Sequence, residues 1–303
     1  MKMTTIVPCT LFAVAPAAVA MTAFLITASS GWAQQPRDNL REPVYRVSKS
    51  DQPTKQTGHP LDPALKIAYE GLAHIQTDIR DYTATLVKRE RIDGELMPQE
   101  FMKVKIRNRK VDADGRVTVP FGIYLKFLKP KEMAGRECIW VEGANNNKLL
   151  GHEVPGIKNV FTVRLDPSGW FAMKGNRYPI TEAGIETLTR RLIGKGERDR
   201  KRGECDVKFY KGAKINGRVC TLLQVTHPVP RPYFDFHLAQ IFIDDELQVP
   251  VRYAAYLWPK TPGGKPVLEE EYTYLDMKLN VGLTDEDFNY KNPAYKYPDR
   301  LFN

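Results

Sequence analysis

Apolar and polar positions between Asp62 and Gly143 follow two successive periods. Asp62-Pro63 reads as an N-cap followed by a first-turn proline, and Leu65, Ala68, Leu72, Ile75, Ile79 and Tyr82 recur at spacings of three and four. That spacing predicts a helix of about five turns with one buried stripe. At Thr83 the period changes to two, and the alternation runs to a turn at Asp93-Gly94. A return strand then sets Met102, Val104 and Ile106 on one face and Lys103, Lys105 and Arg107 on the other. After the polar turn Asp112 to Gly115, Phe121, Ile123, Leu125 and Phe127 line the next strand. Further strands are predicted at Cys138 to Val141, Lys148 to Gly151 and Val160 to Leu165, the last closed by Asp166-Pro167-Ser168-Gly169.

A second helix is predicted over Thr181 to Ile193, with Thr181 as N-cap and Ile185, Leu188, Leu192 and Ile193 as its apolar side. Gly184 weakens it. Alternation resumes at Asp206 to Lys211 and Arg218 to Thr226 around Asn216-Gly217, then at Phe236 to Asp244, Pro250 to Trp258 and Val267 to Lys278. The expected class is α+β: a curved antiparallel sheet, an incomplete barrel, wrapped around the N-terminal helix, with a second helix near 181–193. Leu72 and Ile75 form the helix's inner face. Opposite them stand the inward positions Leu86, Met102, Val104, Ile123, Leu125, Phe127, Val251 and Tyr253. These rows suit an apolar binding cavity, and they suit a solid core equally well.

Residues 1–33 carry Lys2, an apolar run from Leu11 to Ala28, and small residues ending at Ala33. The order is that of a secretory leader cut near Ala33, with an uncleaved membrane anchor as the alternative. Residues 34–60 have few large apolar side chains and read as a flexible linker. Residues 61–303 then form a single domain, extracytoplasmic in the periplasm or secreted.

The net charge is +9, and removing the leader takes away only Lys2. The densest basic stretch, Arg190 to Arg202, contains Arg190, Arg191, Lys195, Arg198, Arg200, Lys201 and Arg202, the first five forming the expected basic patch. Outside the cytoplasm it points to an anionic membrane surface or envelope polymer instead of nucleic acid, or else it is a solvated helix end. Three cysteines follow the leader, so at most one disulfide forms within the chain. Cys205 and Cys220 are the favoured pair, on the two arms of one hairpin whose turn would centre on Gly212 and Ala213. A turn at Asn216-Gly217 breaks that register. Cys138 is then a buried free thiol, and no metal spacing is present.

Catalytic signals are sparse. Ser168 stands in Asp166-Pro167-Ser168-Gly169-Trp170, a turn without the Gly-x-Ser-x-Gly elbow. His227 and His237, with Asp235, Asp244 and Asp245 nearby, offer the elements of a general base or a hydrolase site, but their spacing matches no ligand motif. Glu269, Glu270 and Glu271 alternate across a strand and do not converge, and a cross-strand pair with Arg252 is available.

The segments Pro120 to Phe127, Ala134 to Glu137 with Val141 to Gly143, Tyr178 to Thr181 and Leu279 to Asp285 resemble DUF1571, an uncharacterised family of secreted planctomycete proteins. The helix, its following Tyr-x-Ala-x-Leu strand and the closing segment Asp287 to Pro293 are similar to the periplasmic lipoprotein carriers and sensors of the LolA/LolB type. That resemblance implies an incomplete barrel around a helical plug, with an apolar cavity for acyl chains, no cofactor, and a lipid or acylated protein as partner. Each CH₂ buried in such a cavity contributes roughly 0.8 kcal/mol, so binding requires no polar motif. A non-enzymatic carrier or sensor is therefore the expectation. An envelope hydrolase using His227 and His237, or an interaction module with a solid core, stands as the alternative.

Overall fold

The computed structural model describes Pro43 and residues 45–47, 58–153 and 161–298. All belong to one compact unit, Arg41–Asn303; the leader expected over residues 1–33 and its expected cut near Ala33 lie outside the described residues. No helix among the described residues is long and apolar enough to cross a membrane.

One antiparallel sheet dominates. In chain order its strands are β1 (Tyr45–Arg46), β2 (Asp81–Ile92), β3 (Glu95–Leu96) and β4 (Glu100–Arg107). A separate two-stranded hairpin, β5 (Lys110–Val111) and β6 (Val117–Val119), interrupts it. The sheet then continues with β7 (Gly122–Lys129), β8 (Glu137–Val141), β9 (Leu149–Glu153) and β10 (Phe161–Leu165). After the helices come β11 (Asp206–Ile215), β12 (Arg218–Thr226), β13 (Leu238–Asp244), β14 (Pro250–Leu257) and β15 (Val267–Leu279). The spatial order is β1-β11-β12-β13-β14-β15-β2-β4-β7-β8-β9-β10, with β3 on β2. Two meanders are thus joined where the last strand pairs with β2, and β1 and β10 remain as separate edges. Tyr45–Arg46, within the stretch expected to be a linker, pairs with Ile215 and Lys214.

Three helices accompany the sheet: α1 (Asp62–Asp78), the single turn α2 (Trp170–Met173) and α3 (Ile185–Arg200). The α2–α3 segment lies in the connection between β10 at one edge and β11 near the other. One face of the sheet carries the predicted inward rows. Ile75 and Ile79 join Tyr82, Ala84, Leu86, Met102, Val104, Ile106, Ile123, Phe127 and Ile185 in a single buried cluster. A second cluster joins Leu61, Ala64 and Leu65 of α1 to Leu223, Val225, Ala239, Ile241, Tyr253 and Ala255.

The opposite face is covered by the chain's end. Phe288, Tyr295 and Tyr297 bury Tyr124, Ile139 and Leu150. Tyr295 stacks on Tyr124 with centroids 4.1 Å apart. The basic row of β4 anchors this clasp: Lys105 Nζ lies 2.7 Å from Asp287, and Arg107 Nη1 donates to Asp285 at 2.6 Å while its guanidinium covers Phe288.

Both predicted helix starts differ from those observed. Leu61, not Asp62, occupies the N-cap of α1, and no side chain caps it. The Asp62 carboxylate instead accepts from His59 N at 3.0 Å and from Arg200 Nε at 2.6 Å, tying the helix start to the preceding turn and to α3. The second helix begins after Gly184 and extends to Arg200. Thr181 sits in a short 3₁₀ turn, Ile180–Glu182. Gly184 has φ +105°, and a Cβ there would meet the Tyr82 hydroxyl at 3.0 Å. That hydroxyl accepts from Ile185 N at 3.0 Å, so a distant tyrosine satisfies a free helix donor where a local Ser or Thr ordinarily would.

Candidate ligand chambers

The space between α1, α3 and the sheet is incompletely filled. A chamber of about 440 Å³ lies over β12 and β13. Its roof is the α1 side formed by Ala64, Ala68 and Gly71, and its floor is Leu223, Val225, Ala239 and Ile241; Leu192 and Gly196 of α3 close one side. The cause of the void is compositional. Ala64, Ala68 and Gly71 fall on one helical face, where Leu or Phe would have filled the gap against Ala239. Its volume falls within the ~300–1,000 Å³ of ordinary small-ligand sites.

A second chamber of about 190 Å³ lies across α3, which contributes Leu192 and Lys195 to both. Its apolar wall is Leu86, Met102, Leu125, Phe127 and Leu149, and Pro167, Ala172 and Asn176 supply the side nearest α2. Its far end is polar. Glu90 and Glu270 face each other directly across β2 and β15 and are only 3% and 2% exposed. The Tyr272 hydroxyl donates to Glu90, and Tyr253 Oη donates to Glu270 at 3.2 Å. Arg177 lies 3.3 Å from Glu270 and also pairs with Glu269, while its backbone N–H donates to Glu90 at 3.1 Å. Lys88 bridges Glu90 and Glu100 at 3.4 and 3.1 Å. Burial, reinforced by Glu90, pushes the Tyr272 phenol far above its ordinary range, so it stays protonated as a donor. Burial, reinforced by Glu270, also raises Tyr178 to about 12.

A third hollow, about 560 Å³, opens between the β5–β6 hairpin and α3. It is lined by Arg109, Glu142, Glu186 and Arg190, which pair as Arg109–Glu142 and Arg190–Glu186. Lys110 also lines it and donates to the Gln76 carbonyl, and its walls lack the apolar continuity of the first two.

A family model described as "Protein of unknown function (DUF1571)" matches residues 79–297. The chain belongs to the DUF1571 family. A search of curated proteins found no match. Among solved structures, this DUF1571 chain is similar to a putative outer membrane lipoprotein-sorting protein domain from Vibrio parahaemolyticus (16% identity, 74% of this chain and 95% of that one, TM-score 0.34). It is also similar to the Mycobacterium tuberculosis lipoprotein LppX (13%, 74% and 98%, TM-score 0.39). A third is the LolA superfamily protein NE2245 from Nitrosomonas europaea (11%, 74% and 97%, TM-score 0.28). The architecture of the DUF1571 chain stands on its own strand order, one open antiparallel sheet.

The ten residues expected to line a cavity divide into three groups. Leu86, Met102, Leu125, Phe127 and Tyr253 line the second chamber. Ile75, Val104, Ile123 and Val251 are packed in the core. Leu72 lines neither of the two chambers. The larger chamber escaped the reading because hydrophobic periodicity marks large side chains, whereas this void is made by Ala and Gly. The Glu90–Glu270 pair escaped because it depends on the register between β2 and β15, strands far apart in sequence. Arg252 of β14 and Glu271 of β15 do pair, at 2.8 Å.

The expected Cys205–Cys220 disulfide is absent: Cys138, Cys205 and Cys220 are free thiols. The hairpin turns at Asn216-Gly217, both with positive φ, which sets Cys220 opposite Ala213 and Asp206 opposite Thr226. Cys205 is thus beyond the hairpin's open end, roughly 20 Å along the strand from Cys220 at ~3.3 Å per residue, against the ~7 Å limit for a bridge. Burial raises the Cys205 and Cys220 thiols to about 11 and Cys138 to about 12, which keeps them unreactive.

The histidines and aspartates of the hydrolase alternative do not converge. His227 is fully buried, donates through Nδ1 to Phe236 O at 2.9 Å, and has its other nitrogen 3.4 Å from Asp199. His237 is spent on His227 O. Asp235 pairs with Lys195 and Arg198, Asp244 with Arg218, and Asp245 accepts from Thr221. Five cations of the basic stretch meet four carboxylates: Arg190 to Glu186, Arg191 to Glu182, Lys195 and Arg198 to Asp235, Arg200 to Asp62. Lys201 and Arg202 at its end are exposed, Arg202 lying over the Tyr233 ring.

Proposed function

We propose that the protein is a non-enzymatic component of the cell envelope that binds a lipid, or the acyl chain of a lipidated protein, between its helices and its sheet. The observation that carries this reading is the 440 Å³ chamber walled by Ala68, Leu192, Leu223, Val225, Ala239 and Ile241. Apolar surface facing apolar surface across an unfilled gap forfeits dispersion contacts, and an acyl chain restores them while leaving water. At roughly 0.8 kcal/mol per CH₂, about ten ordered methylenes contribute near 8 kcal/mol before the cost of ordering the chain. The polar end of the second chamber, with Lys88, Tyr253 and Tyr272, supports a ligand that is amphipathic instead of purely hydrocarbon.

Purification without detergent, solvent extraction and mass spectrometry test this directly. An amphipathic lipid in stoichiometric yield is expected, as is displacement of an apolar fluorescent probe by fatty acid. Failure of both measurements would leave an interaction module with an empty interior and overturn the carrier or sensor reading.

A further inference from the structure

We propose that Trp170 and Phe171 form a membrane-docking knob that inserts into an anionic bilayer surface and brings the second chamber to the headgroup layer. The clause about the chamber rests on the lipid-binding function proposed above; the docking itself does not.

Trp170 and Phe171 are 69% and 73% exposed, the highest values among the large apolar side chains of the described residues. Their rings touch edge to face, with centroids 4.8 Å apart, so they form one continuous patch. The local backbone holds them outward. Asp166 Oδ1 accepts from Ser168 N at 3.0 Å and Asp166 O from Gly169 N at 2.9 Å, and the chain enters α2 directly from this turn. Ala172, in the same helical turn, packs against the main core cluster. With Ala172 fixed inward, the two preceding side chains of a single turn are left facing solvent.

The surroundings match a membrane surface. Lys174 Nζ lies 5.6 Å from the Trp170 ring, and Lys148 lies 3.2 Å from Asp166, so two cations stand against one carboxylate around the knob. Tryptophan's apolar body and indole N–H suit the headgroup boundary, and each nearby cation strengthens attraction to anionic lipid. Area decides against a protein partner. Two aromatic side chains bury roughly 150–250 Å² each, far below the ~1,000 Å² of a specific protein interface, whereas reversible bilayer contact needs no more than such an anchor with electrostatic help. Pro167, Ala172 and Asn176 of this same segment line the second chamber. Docking through the knob therefore sets that chamber beside the lipid it would load or release.

The test uses the protein as purified, phosphatidylglycerol–phosphatidylcholine vesicles with brominated acyl chains, and the double variant Trp170→Ser/Phe171→Ser. Native protein is expected to sediment with the vesicles and show quenched tryptophan fluorescence. The double variant should partition at least tenfold less, with its melting curve and extractable lipid unchanged. Absence of native sedimentation, equal sedimentation of the two proteins, or sedimentation without quenching overturns the proposal; capture of a protein in place of vesicles does so too. Trp170-dependent sedimentation by a protein yielding no lipid and displacing no probe sinks the ligand reading and leaves the docking surface standing.

Discussion

Glu90 and Glu270 are like charges in register inside a protein, an arrangement that persists only because other groups balance it. Arg177 is the main counter-charge on the Glu270 side, reaching both Glu270 and Glu269. Arg177→Ala is expected to cost about 2–4 kcal/mol in urea unfolding, below the ~3–5 of a fully buried pair because Arg177 keeps some solvent contact. Adding Glu270→Gln should recover part of that loss, since it removes the carboxylate left stranded; a second loss of equal size would show that the network is not electrostatically coupled. Asp244 makes a different residue-level case. Burial works against its charge, but Arg218 and the backbone N–H groups of Leu247 and Glu246 hold its pKa below the ordinary 3.8. A folded value below the unfolded one means that the stabilisation is complete above about pH 4 and drains away as pH falls through the folded value. Thermal melts should therefore be flat from neutral pH to about 5 with respect to this group and decline below about 4. Arg218→Ala should lower the neutral-pH plateau and flatten that acid limb, because it brings the folded value of Asp244 back toward the unfolded one.

At the scale of elements, α1 is a helix with two different inner surfaces. Its C-terminal end packs Ile75 into the core, while Ala64, Ala68 and Gly71 hold the chamber open. Ala68→Phe should fill the void, keep or raise the melting temperature and abolish recovery of bound lipid. Gly71→Ala is the control: its new Cβ finds nothing closer than Gln248 O at 4.0 Å. It should add about 0.5–1 kcal/mol through helix propensity and leave lipid recovery unchanged. Lipid retained in the Phe variant would exclude this chamber as the site. The helix was legible in its period, and so were Met102, Val104 and Ile106 as an inward row, because large side chains report burial by spacing. The chamber was illegible because absent volume has no spacing. The start of α3 was illegible because its capping hydroxyl, Tyr82, lies a hundred residues away, and the free cysteines were misjudged because the turn residue Asn216, not the cysteine positions, sets the hairpin register.

For the whole molecule, a sheet that is open at both edges must protect two faces, and the chain uses separate devices for each. The helices cover one face loosely, which leaves room for a ligand; the C-terminal segment covers the other tightly. This asymmetry predicts where tolerance to mutation lies. Phe288 is buried under the Arg107 guanidinium, and its ring would stand 3.2 Å from a Cβ placed on Gly122, so glycine at that strand position makes the close contact. Phe288→Ala is expected to destabilise by about 3–5 kcal/mol, as for other aromatic truncations in packed interiors. It should also increase hydrogen exchange in β7 and β8 before β12 and β13, because the clasp rests on the former pair. The proposed lipid ligand makes the complementary prediction within one experiment: if one co-purifies, removing it should loosen β12 and β13 and leave β7 and β8 protected, since a ligand that binds only the folded state stabilises what it touches. Uniform loss of protection in both halves on either perturbation would mean that the two faces are energetically one unit, and that the looseness on the helix side is not the protein's means of accommodating a ligand.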